Sequence, residues 1–141
     1  MPTFDKAAAE TLLSAVFAPW VQDLVLSIET IGDDGAVLRM RFSDRLCRSN
    51  GVICGQSLMS LADTAMVFAI CSAAGEYIGM TTVDQTIHFM RPAVKSDVLA
   101  EARVVRLGKT MAYGSVSLRT DGDERPVAMA QTAYALLRDA K

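Results

Sequence analysis

One carboxylate stands where its neighbours give it no structural reason to be. From Ser57 to Ala74 the chain has no proline, no glycine and a single charge, Asp63. The positions three and four away on either side are Met59, Ser60, Met66 and Val67, so no cation pairs with Asp63 along a helix. A carboxylate set in an apolar wall is costly unless it is partnered or protonated. Its available chemistry is activation of water as a general base, or direct attack on an acyl carbon as a nucleophile. The plainer alternative is a helix carboxylate held by the dipole or by a distant arginine.

Just ahead of it, Gly55 and Gln56 fall at the expected helix start, where free N–H groups and the positive end of the dipole could hold an oxyanion. A glycine needed only for chain geometry would look the same. Cys54 precedes them and is either a thiol activated by the helix end or a small apolar residue. His88, the one histidine, sits in HFMRP and reads as an ordinary strand residue. Three scattered cysteines (Cys47, Cys54, Cys71) and one histidine show no metal-ligand spacing, so no metal is expected. The chain has no serine elbow, no P-loop and no dinucleotide fingerprint.

The elements that must position these groups follow from periodicity. Asp5 can cap a helix running to about Phe17, stopped by Pro19. Leu24 to Ile31 and Ala36 to Phe42 read as strands joined by the hairpin signal Gly32-Asp33-Asp34-Gly35. The apolar run from Ser57 to Gly75 is nearly all apolar around its circumference, so the helix should be wrapped by other elements. Met80 to Met90 alternates, with Val83, Gln85, Ile87 and Phe89 set against Thr82, Asp84, Thr86 and His88, and closes at Arg91-Pro92. Val98 to Leu107, Met111 to Arg119 and Val127 to Leu137 complete the strands before a charged, frayed tail. This order predicts an α+β fold: an antiparallel sheet curled around one long helix, with an added N-terminal helix, in a single domain over residues 1–141.

The run Gly51-x-x-Cys54-Gly55-Gln56, then Leu61-Ala62-Asp63, then His88-Phe89-Met90-Arg91-Pro92-Ala93, resembles the hotdog-fold acyl-coenzyme A thioesterases of the phenylacetate-degradation type. The resemblance covers nearly the whole chain. It implies a curved sheet around a central helix, a Gly55 N–H that polarises the thioester carbonyl, and an Asp63 that acts as base or nucleophile. It also implies that a hydroxyl near the start of the following strand orients the attacking water, for which Thr82 is the match. The family's His-Gly-Gly is here Cys54-Gly55-Gln56, and Arg48 stands where an asparagine is often found, with Asn50 two residues on. Asn50, Gly51, Cys54 and Met59 are placed as substrate-binding residues. Arg91, Arg106 and Lys109 are expected on the phosphates of coenzyme A. Met59, Met66, Met80 and Met90 could line an adaptable acyl pocket.

The resemblance further implies hydrolysis of a small or medium acyl, or aryl, coenzyme A thioester without a separate cofactor, coenzyme A being part of the substrate. It implies a homodimer with the site at the subunit interface, able to pair again into a tetramer. A hotdog hydratase or dehydratase, and a noncatalytic acyl-coenzyme A-binding module, stay open beside it. A net charge of −2 and a pI near 5.3 argue against nucleic acid. Free thiols and the absence of a leader-like opening predict a cytoplasmic protein. No membrane association is expected, because Asp63 and Glu76 interrupt the one apolar candidate span.

Overall fold

The computed structural model describes residues 4–33 and 35–138. Expectations placed on Asp34, on the opening three residues and on the tail from 139 to 141 lie outside the described residues. Asp5 caps α1 (Lys6–Ala15), its carboxylate accepting from the Ala8 N–H at 2.8 Å. The helix ends earlier than Phe17, and Pro19 opens a second short helix rather than merely ending the first. It takes the first position of α2 (Pro19–Gln22), where a missing N–H costs little.

Val25 then sits at φ 54°, a conformation that a β-branched residue rarely adopts, and the first strand begins only after it. Strands β1 (Leu26–Ile31) and β2 (Gly35–Met40) form the first hairpin, with the Gly32 N–H donating to the Gly35 carbonyl at 2.9 Å. A single 3-10 turn at Asp44–Leu46 interrupts the next loop. Helix α3 (Gly55–Ala74) starts at Gly55, where the helix start is expected, and runs through the apolar stretch to stop where expected. Gly75 is left-handed at φ 77°, and its N–H donates to the Cys71 carbonyl at 2.9 Å.

Strands β3 (Met80–Phe89), β4 (Val98–Leu107), β5 (Met111–Thr120) and β6 (Ala128–Leu136) follow. The six strands make one antiparallel sheet in the order β1-β2-β4-β5-β6-β3, curled around α3 in the hotdog arrangement. Alternation sets the inner face: Ala36, Leu38 and Met40 of β2 and Ala112, Val116 and Leu118 of β5 are buried against the helix. On the other side of α3, the Phe17 ring stacks on Phe68 with centroids 5.6 Å apart, and Phe4 lies 6.4 Å from the same ring. The N-terminal segment is therefore the second wrapping layer. By length and a mean hydropathy of 1.5, α3 does have the character of a membrane span, contrary to the expectation that Asp63 rules one out; 61% of that stretch is packed inside the fold, as a core helix requires.

Two further expectations are corrected. Met66 does not line a pocket: it is fully buried over Gly114, where an added Cβ would come within 2.4 Å of the methionine side chain and 2.7 Å of the Arg103 carbonyl. The strict alternation of β3 also breaks. Thr82 pairs with Tyr134 but Asp84 pairs with Ala133, so Val83 is an extra, bulged residue. The bulge turns Thr82 inward beside Gln85 and Ile87, and Val83 outward, where it is exposed.

Candidate active site

Asp63 projects from the middle of α3 toward β3 and β6, and it is half-buried rather than sealed in an apolar wall. Its partners are hydroxyls, not a cation. The Thr82 hydroxyl donates to Oδ1 at 2.9 Å, and the Tyr134 hydroxyl makes a short hydrogen bond to the same oxygen. Tyr134 is fully buried on the inner face of β6, directly across from Thr82, and its hydroxyl also lies 3.0 Å from the Asp63 carbonyl. Burial first, and the adjacent Asp63 carboxylate second, push the Tyr134 phenol far above its ordinary value, so it remains a protonated donor. One turn earlier, Gln85 Nε2 donates to the Met59 carbonyl at 3.1 Å, a second tie between β3 and α3.

The other half of the candidate site is the start of α3. Cys54 is the N-cap but offers no side-chain cap, and its own N–H is committed to the Leu46 carbonyl at 2.8 Å. Among the described residues, the N–H groups of Gly55, Gln56 and Ser57 have no acceptor. Gly55 and Gln56 border a cavity of about 570 Å³ whose lining also includes Phe89, Met90, Arg91 and Arg48. Gly55 is glycine because of that wall: an added Cβ would stand 3.1 Å from the Phe89 ring. The loop carrying the helix start is stitched to the segment after β3, with the Ile53 N–H donating to the Ala93 carbonyl at 2.9 Å and Val52 bridging Val94.

The two halves do not meet within one chain. Eight residues of α-helix separate Gly55 from Asp63, about 12 Å along the axis. A carbonyl carbon must lie about 3–3.5 Å from its attacker, so these groups cannot serve one thioester inside a single protomer.

The remaining positions divide by place. Gly51, at φ 82°, and Asn50, whose side-chain oxygen accepts from the Val52 N–H at 3.2 Å, shape the exposed turn that leads into α3. Met59 is exposed on α3 between the two halves, and Met90 is exposed at the cavity. Arg106 and Lys109 lie near the β4–β5 turn, beside the Met80 end of β3, whereas Arg91 follows the Phe89 end. About 30 Å of strand separates those ends, so the single chain does not gather the three cations. His88 is exposed opposite Met129, on the face of β3 turned away from Asp63. Sequence reasoning missed Tyr134 and placed Arg48 only as a departure from the family's asparagine; it lines the cavity. Tyr134 was findable only as a hydroxyl on an otherwise alanine-rich inner face.

Residues 50–127, more than half of the chain and the span from the approach loop through β5, match the Thioesterase superfamily. The chain belongs to the thioesterase superfamily. A candidate esterase of Halobacterium salinarum is 29% identical over 126 residues, which cover 82% of this chain and 83% of that protein. A candidate thioesterase structure from Silicibacter sp. TM1040 is 29% identical, with a TM-score of 0.86 over 98% of this chain and 95% of its own. The PaaI protein of the Escherichia coli phenylacetic acid degradation operon shares the fold, with a TM-score of 0.82 at 21% identity over 94% of this chain and 92% of its own. Within the thioesterase superfamily match fall Gly55, Gln56, Asp63 and Thr82, while Tyr134 lies beyond its end.

Proposed function

We propose that this thioesterase-superfamily protein hydrolyses acyl-coenzyme A thioesters. The observation that carries the reading is one helix bearing both reagents: unpaired N–H groups at its start, on a cavity, and a partnered carboxylate two turns on. The thioester carbonyl oxygen accepts from the Gly55 N–H, which with the helix dipole stabilises the charge that develops there. Asp63 takes a proton from water as the oxygen attacks the carbonyl carbon. Collapse of the tetrahedral intermediate breaks the C–S bond, and the departing thiolate takes that proton from Asp63. The alternative route has Asp63 itself attack, expel the thiolate and form a mixed anhydride that water then opens. Both routes use the same groups.

The 12 Å gap between Gly55 and Asp63 supports a homodimer in which one protomer supplies each. Among the described residues β3 pairs only with β6, leaving its other edge open over 10 residues, with Val83, Phe89 and Met90 exposed along or just beyond it. Two-fold pairing of that edge with its copy is antiparallel and sets the Phe89 end of one strand beside the Met80 end of the other. Gly55 of one protomer then approaches Asp63 of its partner, twice per dimer. The same operation carries the partner's Arg106–Lys109 end toward Arg91, giving coenzyme A phosphates cations from both chains.

Thiol release across a panel of acyl-coenzyme A thioesters tests the reading. Hydrolysis of at least one member is expected. Tight binding without thiol release would instead make the protein a noncatalytic acyl-coenzyme A module, and hydration of an enoyl thioester would make it a hydratase.

A further inference from the structure

Asp63 presents two oxygens that the fold treats differently. Oδ1 receives the Thr82 hydroxyl at 2.9 Å and the short bond from Tyr134, whereas among the described residues Oδ2 has no hydrogen-bond donor. A carboxylate turns easily about its last side-chain bond, since torsions ending at an sp² centre have broad minima. Two donors on one oxygen, from adjacent strands, remove that freedom. Thr82 can do this only because the Val83 bulge turns it inward. The Tyr134 phenol is fixed in turn by its burial and by its closeness to the Asp63 carbonyl, so the hydroxyl and the helix turn move together.

We infer that Tyr134 is a positioning residue which, with Thr82, assigns the two carboxylate oxygens separate work: Oδ1 is the anchor, and Oδ2 is the atom that takes the proton from water or attacks the acyl carbon. This rests on the thioesterase reading above. Neither hydroxyl touches the substrate in this arrangement. Tyr134 cannot act as a base, because its phenol stays protonated, and each hydroxyl has a single proton that goes to the charged acceptor.

The test measures Tyr134→Phe and Thr82→Val beside the parent protein, with melting curves and separate kcat and KM values on the best thioester substrate. Thr82 is exposed, so its variant keeps the fold even if the buried tyrosine variant does not. Loss of a charge-assisted donor that fixes a reacting group is expected to lower kcat by about ten- to a hundredfold in each variant. KM should stay within about twofold of the parent, because substrate contacts are intact. A merely structural hydroxyl would change the melting temperature and leave kcat of the folded variant within about twofold of the parent. An active parent whose folded variants keep kcat overturns the inference alone. A parent that cleaves no thioester overturns the hydrolase reading, and the inference with it.

Discussion

Thr82 reaches Oδ1 of Asp63 at 2.9 Å from a strand whose regular alternation would have pointed it away. The bulge at Val83 reverses the parity, setting Thr82 across from Tyr134 on the face that meets α3. A single inserted residue thus joins the strand hydroxyl to the helix carboxylate. It also leaves Val83 exposed on an edge strand, where a second copy of the chain would cover it.

Two substitutions separate the backbone donor at Gly55 from its steric role. Gly55→Ala keeps the N–H but brings a Cβ to 3.1 Å from the Phe89 ring, which must shift by a few tenths of an ångström. Gly55→Pro removes the N–H at the first helical position, where proline is tolerated, and Cys54 already has the extended conformation that proline asks of its predecessor. Loss of an oxyanion donor should lower kcat about 10²- to 10³-fold in the proline variant, against less than about tenfold in the alanine variant. Equal losses in the two, measured by steady-state hydrolysis, would show that the Phe89 packing matters and the N–H does not.

Sites shared between protomers, as proposed above, would make inactive chains complementary. A dimer of one Asp63→Asn chain and one Gly55→Pro chain holds one site with both intact groups and one with neither. Co-refolding the two in equal amounts should therefore recover about a quarter of the parental activity, since half of the dimers are mixed and each has one working site. Activity no higher than that of the separate variants, with mixed dimers present by mass spectrometry, would place both groups in one protomer's site or outside it.

The composition of α3 made its burial legible, and the absence of a local cation drew attention to Asp63. Inward alternation in β2 and β5 was equally readable. What the local pattern did not contain was long-range pairing. Tyr134 is 71 positions from the carboxylate it holds, in a strand whose small residues read as ordinary core. Val83 has no glycine or proline to mark a bulge, so the strand looked regular. Arg39 donates to Asp97 and Asp121, partners 58 and 82 positions away, besides Glu29 on the neighbouring strand. Helix spacing showed no cation near Asp63 and could not show its hydroxyl partners for the same reason: they come from strands that follow it.

Asp97 gives a stability prediction with a definite sign. The Phe42 N–H, at 2.7 Å, and then Arg39 hold its carboxyl below the usual range, against the opposing effect of burial. A carboxyl lowered in the folded state stabilises it at pH values above the unfolded value of about 3.9, and that contribution is lost as pH falls through the folded value. Asp97→Asn should lower the melting temperature by about 2–6 °C at pH 7, and the gap from the parent should close toward pH values of about 3 or below. A gap that stays constant down to that pH would assign the loss to packing rather than to charge.

Asp63→Asn tests the central claim most directly. The amide keeps the shape of the side chain and an oxygen to accept from Thr82 and Tyr134, so the fold should survive with a melting temperature close to the parent's. It removes the base and the nucleophile together. Steady-state thiol release from the best acyl-coenzyme A thioester should show kcat reduced by about 10²- to 10⁴-fold, with binding of a nonhydrolysable analogue retained. A folded Asp63→Asn protein that hydrolyses the thioester at the parental kcat would contradict any role for this carboxylate in the chemistry.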